Sequence, residues 1–454
     1  MGIALVTALS GMLCAAEADL PTVVAIAGGG TVETWALTIT AKGQPVGSRR
    51  SEALAALFRF YDINDDQRLD QSEAVEIASP AGLRQLPLGR LLPTMVKRPS
   101  SIDRNEDGVL MQEEFQAYYM ASSQAGLWVT CDVTPRTAEM NHALLRAMQI
   151  EPGDSIDQEH IQMAMARLAT LDTNADELIS PGEILSGHIY PGITPMRMVS
   201  GRDAAVDSIR NLSVTRRSAT ADDHRWSIDL DQADVVLNSH SKSTSVRLHL
   251  AEADASRAEV ALNDLVSQFV SGAGDDDELK LSEVAGMQNQ VDLQQLIPLA
   301  DRNRDDILSA QEFDQWQAVV RAYVRSVVVV TILDFEQNLF TGLDGNFDGS
   351  LSSQELADAW QTWSQDGVVR GGKFLPAELP RQLRILVSHG PCQQLLDQGS
   401  SEGPPWFQAM DRNRDGRISR DEFPASSDIF TNMDRDGDGY LSLKDVAAAM
   451  EDDR

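Results

Sequence analysis

Basic residues are scarce in this chain. It carries 38 Lys and Arg against 69 Asp and Glu, a formal net charge of −31 over 454 residues. Such a field repels phosphate backbones and anionic membrane surfaces, so nucleic acid is excluded as a partner. Long apolar runs are missing too. Ile3 to Ala16 is too short to span a bilayer. Val327–Leu333 is short, β-branched and followed by Asp334, the pattern of a strand, so no membrane span is expected. There are three cysteines: Cys14 lies in the N-terminal run, and Cys131 and Cys392 permit one disulfide without requiring it. Catalytic signatures are also lacking. The seven histidines show no His-Glu-x-x-His or other zinc spacing, and neither a Gly-x-Ser-x-Gly elbow nor a phosphate-binding loop occurs. The reading is non-enzymatic, with 186–260 the only room for a hidden site.

What is present points first to export. The run Ile3–Ala16 and the small-x-small triplet Ala16-Glu17-Ala18 before Asp19 predict a signal peptide over 1–18, although it lacks a basic n-region. A secreted or periplasmic protein is expected. Residues 19–51 form a lead-in; Gly28-Gly29-Gly30 does not continue into the helix and distal acid of a dinucleotide fold. Four β-like runs follow at intervals of about a hundred residues: Trp35–Thr40, Leu127–Val133, Val246–Leu250 and Val327–Leu333. Each precedes a helix-like stretch and an acidic loop.

Those loops carry the chemistry. Oxygen-bearing side chains recur at positions 1, 3, 5 and 12 of a twelve-residue frame, in most cases also at 9, with Leu or Ile at 8. The seven loops are Asp62, Asn64, Asp66, Asp70 and Glu73; Asp103, Asn105, Asp107 and Glu114; Asp172, Asn174, Asp176 and Glu183; Asp301, Asn303, Asp305 and Glu312; Asp344, Asn346, Asp348 and Glu355; Asp411, Asn413, Asp415 and Glu422; and Asp434, Asp436, Asp438 and Asp445. In the last two, Arg417 and Tyr440 at position 7 add a backbone carbonyl. Alternate residues of a tight loop point at one centre, and a carboxylate from the following helix closes it. That suits a hard cation wanting six to eight oxygens at about 2.3–2.6 Å.

This layout resembles the EF-hand superfamily, in patches from about residue 52 to 450. Many hands behind an export signal are similar to large secreted bacterial EF-hand proteins. Calmodulin-like sensors match less well, because the spacings here run from 23 to 41 residues. The resemblance implies Ca²⁺ as ligand, with Mg²⁺ an alternative at Asp434–Asp445, whose closing acid is one methylene short. Gln67, Glu177 and Asp306 stand at position 6, where positive φ favours glycine. Met111 at position 9 cannot orient a water.

EF-hands pair through position 8, and Ile418 and Leu441 are 23 residues apart. The same step from Leu351 reaches Phe374, and from Ile179 it reaches Ile156, each in a loop without early acids. A third ligand-poor loop, Gly272–Glu283, precedes Asp301. The expected pairs are thus 62 with 103, 149 with 172, 272 with 301, 344 with 367, and 411 with 434. They would occupy 52–122, 123–200, 257–322, 323–390 and 402–450, with a β-rich insert over 201–256. The expected fold is mainly α with short strands, an array of about five EF-hand pairs joined by small β-segments. Seven doubly charged ions would take the formal charge from −31 to −17. Calcium is therefore expected to rigidify an exported scaffold or interaction protein with an unidentified protein partner; a calcium buffer or sensor is the alternative.

Overall fold

The computed structural model describes residues 22–446 apart from 29–30, 42, 76, 97–101, 123–126, 135, 189, 193–197, 200–211, 217, 231–235, 241–243, 251–255, 274–276, 285–290, 393–394 and 397–402. The expected signal peptide over 1–18 lies outside the described residues, as does the side chain of Cys131. Cys392 is buried. Among the described residues no helix is long and apolar enough to cross a membrane.

The strands in chain order are β1 (Thr22–Gly28), β2 (Thr31–Ala41), β3 (Gln44–Pro45), β4 (Leu127–Val133), β5 (Met198–Val199), β6 (Leu212–Arg216) and β7 (His224–Asp229). Then come β8 (Val236–His240), β9 (Thr244–Leu250), β10 (Glu278–Lys280), β11 (Ile307–Ser309), β12 (Val328–Glu336) and β13 (Arg381–His389). They make a five-stranded sheet, β3-β2-β1-β6 with β7 also on β2, a two-stranded β10-β11 ladder, and a six-stranded sheet, β5-β4-β12-β13-β9-β8.

The expected array of about five EF-hand pairs is corrected here. The structure is 44% helix and 20% strand, and among the described residues its strands form three sheets rather than isolated segments between pairs. Three of the four β-like runs, β4, β9 and β12, lie in the same sheet. The physical reason is burial on both faces. In β12, Val328, Val330 and Ile332 pack toward Trp35 and Leu37 of β2 and Ile228 of β7. On the other side, Leu333 and Phe335 face a helical core and Val329 packs with Trp128 of β4. A strand covered on both sides reads as a continuous apolar run, as this one does. The strands of 201–256 are divided between both large sheets, β6 and β7 to one, β8 and β9 to the other.

Two helical bodies flank the sheets. One joins helices Val46–Tyr61 and Gln112–Ser122 to Arg257–Ala273, Val291–Ala300 and Ala310–Arg325 in a single apolar core. The other joins Thr137–Ala147 and Gln158–Leu168 to Leu339–Leu343 and Ser353–Gln365. A C-terminal unit with helices Pro405–Met410 and Ser427–Met433 has its own small core.

Loop pairing follows this arrangement. Leu69 bridges Leu110, Ile418 bridges Leu441, and Leu279 pairs with Leu308 in the β10-β11 ladder. The expected pairs 149 with 172 and 344 with 367 do not form; instead Ile156 bridges Phe374 and Ile179 bridges Leu351. The cause lies in the sheet. β4 runs parallel to β12 in register from Leu127↔Val328 to Val133↔Asp334, so the segments after both strands emerge side by side. Thr134 N donates to the Asp334 carbonyl at 2.9 Å. Asn141 then donates to the Gln337 carbonyl at 2.9 Å and accepts from Leu339 N at 2.8 Å, carrying the pairing into the helices.

Phe374 is buried and packs edge-on against Trp363, with ring centroids 4.6 Å apart. Phe374→Ala should cost about 3–5 kcal/mol. Hydrogen exchange should then quicken in 150–168, some two hundred residues away in sequence. An effect confined to 344–378 would favour sequential pairing.

Candidate metal centres

A twelve-residue loop that turns twice strands several backbone N–H groups, and a buried donor without a partner is costly. All seven acidic loops meet this demand in one way. The carboxylate at position 1 accepts from the N–H of position 6 at 2.9–3.1 Å. The side-chain oxygen at position 3 accepts from the N–H of position 5 at 2.9–3.2 Å. The carboxylate at position 5 accepts from the N–H of position 7 at 2.8–3.0 Å. The position-12 acid reaches back to the N–H of position 9 at 2.8–3.3 Å. Its other oxygen accepts from the start of the loop, as between Glu422 and Arg412 N at 2.8 Å.

This scheme holds the acids of each loop against the loop's own backbone N–H groups. Position 9 also starts the exit helix: Asp70, Ser309 and Ser352 cap it, each in a reciprocal box with the acid at position 12. The position-8 residues Leu69, Leu110, Ile179, Leu308, Leu351, Ile418 and Leu441 are all buried.

Position 6 is left-handed, as expected, at Gln67 (φ 66°), Glu177 (φ 64°) and Asp306 (φ 63°). Position 4 is left-handed as well, at Asp65, Glu106, Ala175, Arg304, Phe347 and Arg414. The sequence offered little sign of this, since only Gly437 stands there as a glycine.

In the last loop, the one with aspartate rather than asparagine at position 3, one carboxylate oxygen each from Asp434, Asp436 and Asp445 lies within 4.8 Å of the others. Asp445 is buried and makes the same two backbone contacts as the glutamates elsewhere, to Arg435 N at 3.1 Å and Ser442 N at 2.9 Å. The donor set, all oxygen and mostly carboxylate, fits a hard divalent cation.

Electrostatics agree with that fit. Burial, and then repulsion from Asp411 and Glu422, pushes the Asp415 carboxyl up to about 7. Burial raises Glu355 to about 7, with Asp348 adding to it. Asp344 is fully buried and pushed well up by burial and by Glu355, while the Tyr190 hydroxyl donates to its Oδ2. A divalent ion reverses this logic by favouring every ionised partner. Tyr190 was not foreseen; it comes from 154 residues away in the chain. Nor were Arg247 and Arg384, whose guanidinium groups donate to the carbonyls of Gly345 at 3.1 Å and Phe347 at 3.4 Å.

The three ligand-poor loops serve the packing. His160, where a closing acid would stand, turns onto Asp157 at 2.6 Å. Gly367, Gly371 and Gly372 carry left-handed backbone through the loop ending at Glu378. In the third, 274–276 lie outside the described residues, and Leu279 supplies the pairing residue.

Residues 405–423 match the family model for the EF hand. No curated protein and no solved structure matches the chain. The matched stretch contains Asp411, Asn413, Asp415, Arg417 and Glu422, so the chain carries an EF hand there, and with it a calcium-binding loop. One hand, rather than an array of pairs, is what likeness to a known family establishes.

Replacing the closing acid by its neutral isostere, Glu422→Gln, should weaken calcium binding at this loop by at least 10–100-fold, the range seen even for outer-shell changes. The pKa direction adds a second test. A carboxyl held near 7 in the folded protein, above its usual 3.8, stabilises the metal-free fold at low pH, a contribution lost as pH rises toward 7. Calcium uptake at pH 6.5 should therefore release protons, visible as calorimetric heats that vary with the buffer's ionisation enthalpy. Heats independent of the buffer would contradict it.

Proposed function

We propose that this protein is an exported calcium-stabilised scaffold, in which Ca²⁺ at the acidic loops rigidifies helical bodies held against a two-sheet core. The observation that carries the reading is the single hydrogen-bond scheme repeated in seven loops, of which one matches the EF hand. In each loop the position-12 acid ties the exit helix to the loop's start, so an ion bound there fixes the angle between two helices. The acidity supports a structural role for the ion, since −31 charges on 454 residues oppose compaction until they are neutralised.

Magnitudes favour stabilisation over signalling. Calcium tenfold above a site's Kd stabilises the fold by about 1.4 kcal/mol per site. Several such sites rival the whole stability of an ordinary domain, about 5–15 kcal/mol. Such saturation is natural at the calcium levels outside a cell, to which the N-terminal apolar run would direct the chain. The role is binding and presentation to a protein partner rather than catalysis.

Melting in calcium and in EDTA tests this. Chelation should lower the Tm by on the order of 10 °C or more. An unchanged Tm would overturn the structural role. Submicromolar sites, with a large calcium-dependent exposure of apolar surface, would favour a sensor instead.

A further inference from the structure

The C-terminal unit has its own core, built on Phe407, Ile418, Phe423, Phe430, Leu441 and Val446. Its described polar contacts with the rest of the protein come from the Asp411–Glu422 loop. Asn413 Nδ2 donates to the Asp176 carbonyl at 3.4 Å, Ser419 Oγ donates to Glu177 Oε1 at 2.6 Å, and Arg417 Nε donates to Gln354 Oε1 at 3.3 Å. Positions 3 and 9 of one acidic loop thus touch positions 5 and 6 of another. A cleft of about 560 Å³, lined in part by Met165, Ile179, Leu356, Arg420 and Tyr440, lies beside these contacts. The joint rests on a few polar contacts next to open space.

Glu177 is the informative residue. It holds φ 64°, where glycine would be unstrained. Within its own loop only its backbone N–H is used, donating to Asp172 Oδ2 at 2.9 Å. Its side chain leaves the loop to accept from Ser419, and lies half-buried near the carboxylates of Glu422 and Asp421 and the guanidinium of Arg412.

We infer that Glu177 is a positioning residue that couples the Asp172 and Asp411 loops, so that calcium in either raises the affinity of the other and latches the C-terminal unit to the body. The inference rests on the calcium reading above. It concerns a contact separate from the position-8 bridges, which join Ile179 to Leu351 and Ile418 to Leu441. An ion in the second loop engages Asn413 through Oδ1 and leaves Nδ2 aimed at Asp176. An ion in the first fixes Asp176 and the turn at Glu177. Each ion therefore prepares half of the contact, and such linkage is reciprocal.

The test is peptide-resolved hydrogen exchange on the full chain across a calcium titration. Disabling the first loop with Glu183→Gln should move the calcium midpoint for protection of 405–423 upward by about fivefold or more. Disabling the second with Glu422→Gln should move the midpoint for 172–183 by the same factor. In a Glu177→Gly background, which relieves the backbone strain, both shifts should vanish while protection of 62–73 stays unchanged as the control for folding. Glu177→Gln, which still accepts from Ser419, should keep the coupling. Midpoints indifferent to the other loop, shifts that persist in Glu177→Gly, or coupling lost in Glu177→Gln would each overturn the inference and leave calcium binding intact. Protection that never responds to calcium would overturn both.

Discussion

The antiparallel pair β12–β13 governs the rest of the molecule. Each of its strands takes a parallel neighbour on its outer side, β4 on β12 and β9 on β13, and each neighbour takes an antiparallel edge strand, so the six-stranded sheet reads the same from either end. Both central strands are buried nearly throughout. Asp334, fully buried in β12, is held by the guanidinium of Arg381 in β13, so even the polar group at the strand's end is answered by its neighbour. Parallel pairing of β4 with β12 places chain segments two hundred residues apart side by side, and the helices and loops beyond them combine accordingly.

The acidic loops solve a different problem. Tight turns expose backbone donors, and the acids that could hold an ion are the same groups that satisfy those donors. Loop shape and metal affinity are therefore joined: the hydrogen bonds arrange the oxygens, and the oxygens, once crowded and partly buried, favour a divalent cation or a proton. The raised pKa of Asp415 and Glu355 expresses that competition. Left-handed residues at positions 4 and 6 are the backbone cost of the arrangement, and Glu177 shows such a residue turned to a contact outside its own loop.

Much of the local picture was legible in the chain. Acids at fixed intervals marked each loop, because only alternate positions can face a common centre. Leu or Ile at position 8 marked the bridging residue, because it is the apolar side chain that every one of these loops buries. β-branched runs marked strands. Even two of the three ligand-poor loops could be found from the spacing of Ile418 and Leu441. Partnership was not legible. Spacing within a sequence describes neighbours along the chain, and Ile179 meets Leu351 across the fold. Tyr190 reaches Asp344, and Arg384 reaches the Phe347 carbonyl, by routes that no periodicity records.

By itself the sequence determined the loops, the residue at each of their positions, the divalent cation those residues suit and the four runs that became β2, β4, β9 and β12, but not β13. All of these depend on side chains within about a dozen residues of one another, where local geometry leaves few alternatives. Only the tertiary structure decided which loops bridge, which runs share a sheet and where the C-terminal unit rests. Those choices are made by apolar faces that can be buried only against distant segments, and an apolar face does not name its partner.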